Sequence, residues 1–131
     1  RVEFGDFGEG VSHIWIEKAQ KRLNVTFPPS YIWWLKNYGG GEINGEEVYS
    51  IYEMDFDSVV GGDIVYINEI NRKNGTATAT ELTIQENDQG ESYYIGLDDV
   101  DRDGECPVYI DPGNVKYADS FLEFLIKKVG E

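Results

Sequence analysis

From Val11 to Leu23 the apolar residues recur at helical spacing. Ile16, Ala19 and Leu23 fall at i, i+3 and i+7, with Val11, Ile14 and Trp15 beside them. The spacing predicts a helix that Ser12 can cap and that leaves through Asn24, a residue tolerant of left-handed backbone. Lys18, Lys21 and Arg22 lie late in it, where the helix dipole favours cations. Residues 1–10, RVEFGDFGEG, have no period and are read as an irregular arm. Further on, Pro28 and Pro29 end one segment and pre-set the first turn of another. Tyr31, Trp34, Leu35 and Tyr38 then share a face until Gly39 and Gly40 stop the helix. Trp33 and Trp34 point about 100° apart, so one faces the core and the other its edge. The two helices form a tight hairpin.

After residue 40 the period changes. Asn44-Gly45 between β-favouring residues is a strong hairpin signal. Residues 63–73 fit either period; Asp63 as a cap and Asn74-Gly75 as a stop favour a helix. TELTIQEN and ESYYIGL alternate and meet at Asp88-Gln89-Gly90, a second hairpin, in which one of Tyr93 and Tyr94 faces out. CPVYI is a further strand, ended by Asp111-Pro112-Gly113. The last segment, ADSFLEFLIKKVG, is an amphipathic helix with Phe121, Leu122, Leu125, Ile126 and Val129 toward the core, Asp119 or Ser120 as cap, and Lys127 and Lys128 at its end. The order is two helices, a β-rich middle and a closing helix, without a repeated βαβ unit. It predicts an α+β fold: one domain over residues 1–131, with a mainly antiparallel sheet packed against the helix hairpin and the C-terminal helix.

Composition narrows the function. At 40% hydrophobic and 14% aromatic, the 131 residues can build a core, which argues against disorder. The formal net charge of −14, from 25 acids and 11 bases, repels nucleic acid and anionic lipid, so neither is expected as a partner. A single cysteine, Cys106, rules out an internal disulfide and fits a reducing, cytoplasmic setting. No apolar run reaches the roughly 20 residues of a membrane span, and no signal-peptide pattern opens the chain. It begins on Arg1 rather than Met, which leaves room for an upstream segment.

The stretch GLDDVDRDGECPVY (96–109) begins like a calcium loop. Asp99, Asp101 and Asp103 take alternate positions and Gly104 the sixth. The closing half fails, because position 9 is Pro107 and position 12, which should be a bidentate Glu, is Ile110. Strand-like residues flank it where helices should stand, so a solvated acidic turn is favoured over a metal site. Catalytic candidates are few. His13 is the only histidine, near the start of the first helix, and a pairing with Cys106 would lack an orienting third group. Cys106 suits a small buried thiol. No nucleophile elbow, metalloprotease helix or phosphate loop is present.

The distribution of charge says more. Ten acids lie between Glu81 and Asp111, with Arg102 the only base. If the two hairpin ends share a side of the sheet, Asp88, Glu91, Asp98, Asp99, Asp101, Asp103 and Glu105 form one negative surface. Such a surface would speed encounter with a basic protein and imitate a phosphate backbone. The other reading is a scattered, solvated face.

IEKAQKRLNVTFPPSYIWWLKNYGGGEI (16–43), ELTIQENDQGESYYIGLDD (81–99) and CPVYIDPGNVKYADSFLEFL (106–125) together resemble the SUKH superfamily, in its first branch of bacterial immunity proteins and fungal cell-wall assembly regulators. The helix–Pro–helix–Gly-Gly opening and the closing helix carry it most specifically, residues 47–80 only loosely. Where the family usually has Gly-Asp before the strand YYIGL, this chain has Gly90-Glu91. The resemblance implies an α+β fold and no catalysis; no cofactor is expected, and the residues are silent on oligomeric state. The resemblance also implies a cytoplasmic antitoxin that binds and occludes a cognate polymorphic toxin, often a nuclease. The alternatives are a regulatory scaffold for another protein and a calcium- or small-ligand-binding domain built on the 96–111 loop.

Overall fold

The computed structural model describes residues 1–131. Helix α1 (His13–Leu23) ends at Asn24, whose φ of 56° is the left-handed exit expected of it. Ser12 supplies extended backbone at the start but no capping hydrogen bond. Helix α2 (Pro29–Tyr38) starts on a proline, whose missing N–H is no loss in a first turn, and stops at Gly39. Trp34 is fully buried and Trp33 is 45% exposed, the split that adjacent helix positions require.

Strand β1 (Val2–Phe4) pairs antiparallel with β2 (Gly41–Ile43), which pairs with β3 (Glu46–Val48) through the Asn44-Gly45 turn. The N-terminal arm is therefore not wholly irregular. β2 offers it an edge of backbone partners that no local pattern encodes. A glycine at position 41 permits the approach: a Cβ there would lie 2.6 Å from Phe4 Cα. The ambiguous stretch is helix α3 (Ile64–Lys73). Asp63, fully buried, accepts from the N–H groups of Val65 and Tyr66 and also from Tyr52 N–H.

A second sheet is an antiparallel meander in the order β4 (Glu81–Glu86), β5 (Ser92–Gly96), β6 (Val108–Asp111), β7 (Val115–Ala118). β7 has no sequence signal of its own, since VKYA is too short to show a period; it exists because β6 has a free edge. Asn68, fully buried, pins α3 to β4. Its Nδ2 donates to the carbonyls of Ile64 (2.9 Å) and Thr83 (3.0 Å), and its Oδ1 accepts from Thr83 N–H (2.8 Å).

Helix α4 (Phe121–Val129) opens on a Ser120 cap. Ser120 Oγ accepts from Glu123 N–H, and the Glu123 carboxylate accepts from Asp119 N–H. Its buried stripe differs from the expected one. Phe121, Phe124, Leu125 and Lys128 face inward, whereas Leu122, Ile126 and Val129 are 46%, 64% and 51% exposed. The helix has two apolar stripes, and the one with two phenylalanines wins because rings bury most area. Phe124 lies 5.5 Å from Tyr93, and Phe121 lies 5.0 Å from Tyr31. Lys128 is tolerated inside because its ammonium sits over the Tyr93 ring and reaches Glu131. One cluster of 24 buried residues joins helices and sheets.

Candidate functional site

β5 and β6 set Tyr94 directly opposite Tyr109, with the rings stacked at 5.5 Å on the sheet face turned away from α4. Strand alternation puts Glu81 and Thr83 of β4, Ser92 of β5 and Asp111 of β6 on that same face. A bulge between Thr83 and Gln85 brings Glu86 opposite Ser92 and so onto it as well. Asn71 and Asn74 from the end of α3 and Asn114 from the β6–β7 turn complete a cleft of about 460 Å³. Tyr94 Oη donates to Asn114 Oδ1 at 2.6 Å, and Asn71 Nδ2 donates to Thr83 Oγ1 at 3.1 Å. Every charged residue lining the cleft is an acid: Glu81, Glu86 and Asp111. Burial, and then the charges of Glu81, Asp111 and Asp98, push the Tyr94 phenol up. The hydrogen bond from Tyr109 Oη to Asp99 (2.7 Å) is the main reason the Tyr109 phenol is pushed up to about 12. Although one of Tyr93 and Tyr94 was expected to face out, both are buried; Tyr94 lies on the outer face under Tyr109 and Asn114.

The seven acids singled out in the sequence do not sit at one end of the sheet. Asp88 and Glu91 flank the β4–β5 turn, before β5; Asp98, Asp99, Asp101, Asp103 and Glu105 follow it. Successive turns of a meander lie at opposite ends, and a five-residue strand separates them by about 17 Å. The condition of a shared side is not met: the two groups stand at opposite ends of the face, Glu86 and Asp111 beside the first and Glu81 beside the second, with Thr83, Tyr94 and Tyr109 between them. Within the protein, the ion pairs use Glu3, Glu17, Asp57, Glu69, Asp119 and Glu131, so none of the ten acids from Glu81 to Asp111 is neutralised by an internal base.

These acids are not equivalent. Glu105 accepts from both Ser30 N–H (3.0 Å) and Ser30 Oγ (2.7 Å), in the first turn of α2, and so serves as that helix's cap. Asp101 Oδ1 accepts from the N–H groups of Asp103 (2.8 Å) and Glu105 (3.0 Å) and shapes the loop. Glu91 accepts from Asn87 Nδ2 at 2.9 Å. Asp88, Asp98 and Asp103 are exposed. As for a calcium loop, Asp99 turns to Tyr109 and Asp101 to its own backbone. No three acid, histidine or cysteine side chains stand close enough to share a cation.

His13 and Cys106 are in unlike surroundings. The His13 side chain is 64% exposed beside Glu17, while Cys106 is buried and its thiol is pushed up to about 11, by burial first and then by Glu105 and Asp101. A thiol held protonated is a poor nucleophile. The structure adds an apolar cleft of about 620 Å³ beside the acidic loop, walled by Val25, Ile32, Leu97, Val100 and Cys106 among others. Its walls come from three distant segments (24–32, 79–80 and 97–106), so no local pattern could have disclosed it.

A protein-family model described as SUKH_6, SMI1-KNR4 cell-wall, matches residues 14–125. The matched span contains the whole second sheet and every acid from Glu81 to Asp111.

Proposed function

The chain belongs to the SMI1-KNR4 cell-wall family of the SUKH superfamily, and from that premise we propose that it is an immunity protein that occludes a toxin through the outer face of its second sheet. The residues had pointed to the superfamily's first branch; the matching model is the SUKH_6 one. Superfamily members are generally non-catalytic immunity or regulatory proteins that bind other proteins. In this reading the chain acts as a single domain in the cytoplasm of a bacterium, and its target is a nuclease. The observation that carries it is the surplus of carboxylates on β4–β6 and the β5–β6 loop, ten acids of which none is held in an internal ion pair, with Arg102 in the loop and Lys116 opposite Tyr109 the bases near them. A nuclease must draw in phosphate and is basic around its active site. An acidic face is steered to that site and excludes substrate once seated. The apolar cleft beside the loop can take an anchoring side chain of the toxin, which would slow dissociation. Asp88, Glu91, Asp98, Asp99, Asp101 and Asp103 are the contact residues in this proposal; Glu105 serves the fold.

A second reading, a regulatory scaffold for a protein of another kind, is favoured by the cell-wall description of the family. One experiment separates them. The tagged chain is used to capture its partner from the host, and the association rate is measured by stopped flow at low and high salt. Immunity predicts a partner with nuclease activity that the chain abolishes at one-to-one stoichiometry. Occlusion through acids predicts an association rate that falls about ten- to a hundredfold between 50 and 500 mM salt, and falls further in the Asp98→Lys, Asp103→Lys double variant. A rate indifferent to salt rejects the acidic face; a partner without nuclease activity rejects the nuclease reading.

A further inference from the structure

The side of the molecule away from the acidic sheet face carries an unpartnered apolar surface. α2 and α4 expose Trp33, Leu122, Ile126 and Val129, each 45–64% exposed, around a groove of about 300 Å³ lined only by apolar and aromatic side chains. Phe7, 67% exposed, extends it through an edge contact with Tyr38 at 5.5 Å. Aromatic and aliphatic side chains left this open cost solvation free energy unless something covers them. We propose that this face joins two copies of the chain in a symmetric dimer.

Three observations select a second copy as the occupant. The first is area. A standard interface takes roughly 800 Å² from each partner, about 60% of it apolar. Five large side chains, each offering on the order of 100 Å², supply that apolar share. The second is charge. α2 and α4 contribute one acid, Glu123, whose carboxylate is engaged at Asp119 N–H, against the exposed Lys36 and Lys127, Lys128 being buried and paired with Glu131. Two molecules of net charge −14 repel over most of their surface and least across these two helices, whereas a cationic partner is not steered here. The third is shape. The patch holds both a ridge, Leu122–Ile126–Val129, and a groove beside it, so a two-fold axis can set the ridge of one copy in the groove of the other. α4 covers the sheet face to which Tyr93 points, and Glu81, Glu86 and Asp111 lie on the face to which Tyr94 points. The dimer thus leaves both acidic faces open, and the inference stands independently of the toxin reading.

Sedimentation equilibrium of the whole chain from 5 to 500 µM tests it. The expected result is a reversible rise from the 14.9 kDa monomer toward twice that mass. The dimer should be tighter at 500 than at 50 mM salt, because screening removes repulsion between like-charged copies. This is the reverse of the salt dependence predicted for toxin association. Ile126→Glu should weaken the dimer about tenfold or more by burying an unpaired charge. Its fold should stay intact, as circular dichroism would report, because Ile126 is 64% exposed. Val60→Glu, at an equally exposed apolar position outside the groove, should leave the dimer unchanged. A monomer at every concentration and both salts overturns the proposal. So does equal weakening by the two variants, or a dimer that dissociates as salt is added.

Discussion

Replacing Glu105 by alanine should destabilise the protein without slowing its association with a partner. The Glu105 carboxylate, half-buried, accepts two hydrogen bonds from Ser30, one from the backbone N–H at 3.0 Å and one from the hydroxyl at 2.7 Å. The N–H belongs to the first turn of α2, which has no side-chain cap of its own because Pro28 occupies the cap position. Loss of a helix cap costs about 1 kcal/mol and loss of a charge-assisted bond about 1.5–3 kcal/mol. The two overlap here, because they share one carboxylate, and partial exposure discounts the ionic part, so about 2 kcal/mol is the working figure. For a chain of this size that lowers the melting temperature by about 6 °C and the urea midpoint by about 1 M. Urea unfolding followed by tryptophan fluorescence measures it. Asp103→Ala, at an exposed carboxylate in the same loop, is the control and should stay within about 0.5 kcal/mol. Glu105→Gln should fall between, since its amide oxygen can accept one of the two bonds. If Glu105→Ala and Asp103→Ala have equal midpoints, Glu105 is not a cap and returns to the set of free surface acids.

Two further outcomes follow from the same geometry. Asn68→Ala should cost about 3 kcal/mol, because it strands both the N–H and the carbonyl of Thr83 in a buried strand edge; a loss under 1 kcal/mol by urea unfolding would mean that α3 is held to β4 by packing alone. Tyr109 should titrate near 12, and Asp99→Asn should bring it toward 10. A difference of one tyrosine in 295 nm absorbance around pH 11 is the signature. Because the folded-state value is raised, this contact stabilises the fold fully below about pH 10 and its contribution is lost as pH rises toward 12. Absence of that spectral difference would deny the Tyr109–Asp99 bond a role in solution.

The helices were readable along the chain because each is bounded by residues with a backbone reason to be there: Asn24 and Gly39 at left-handed exits, Asp63 and Ser120 as caps. The Asn44-Gly45 hairpin and the alternating β4 and β5 were equally local. β1 and β7 were not, because a strand of three or four residues forms only when a neighbour offers an edge. The acids of the site could be counted but not placed. Asp98 and Asp103 stayed at the surface as expected, while Glu105 turned inward to a serine 75 positions away.

Local order set the element types, the α+β class and the surplus of carboxylates, since caps, turns and periodicity act over only a few residues. Packing chose among equivalents. α4 carries two apolar stripes that periodicity cannot rank, and the rings of Tyr31 and Tyr93 drew in Phe121 and Phe124 and left Leu122, Ile126 and Val129 outside. The meander likewise sent the two acidic turns to opposite ends of β5. Contacts between residues far apart in the chain made both choices, and a linear pattern holds no record of them.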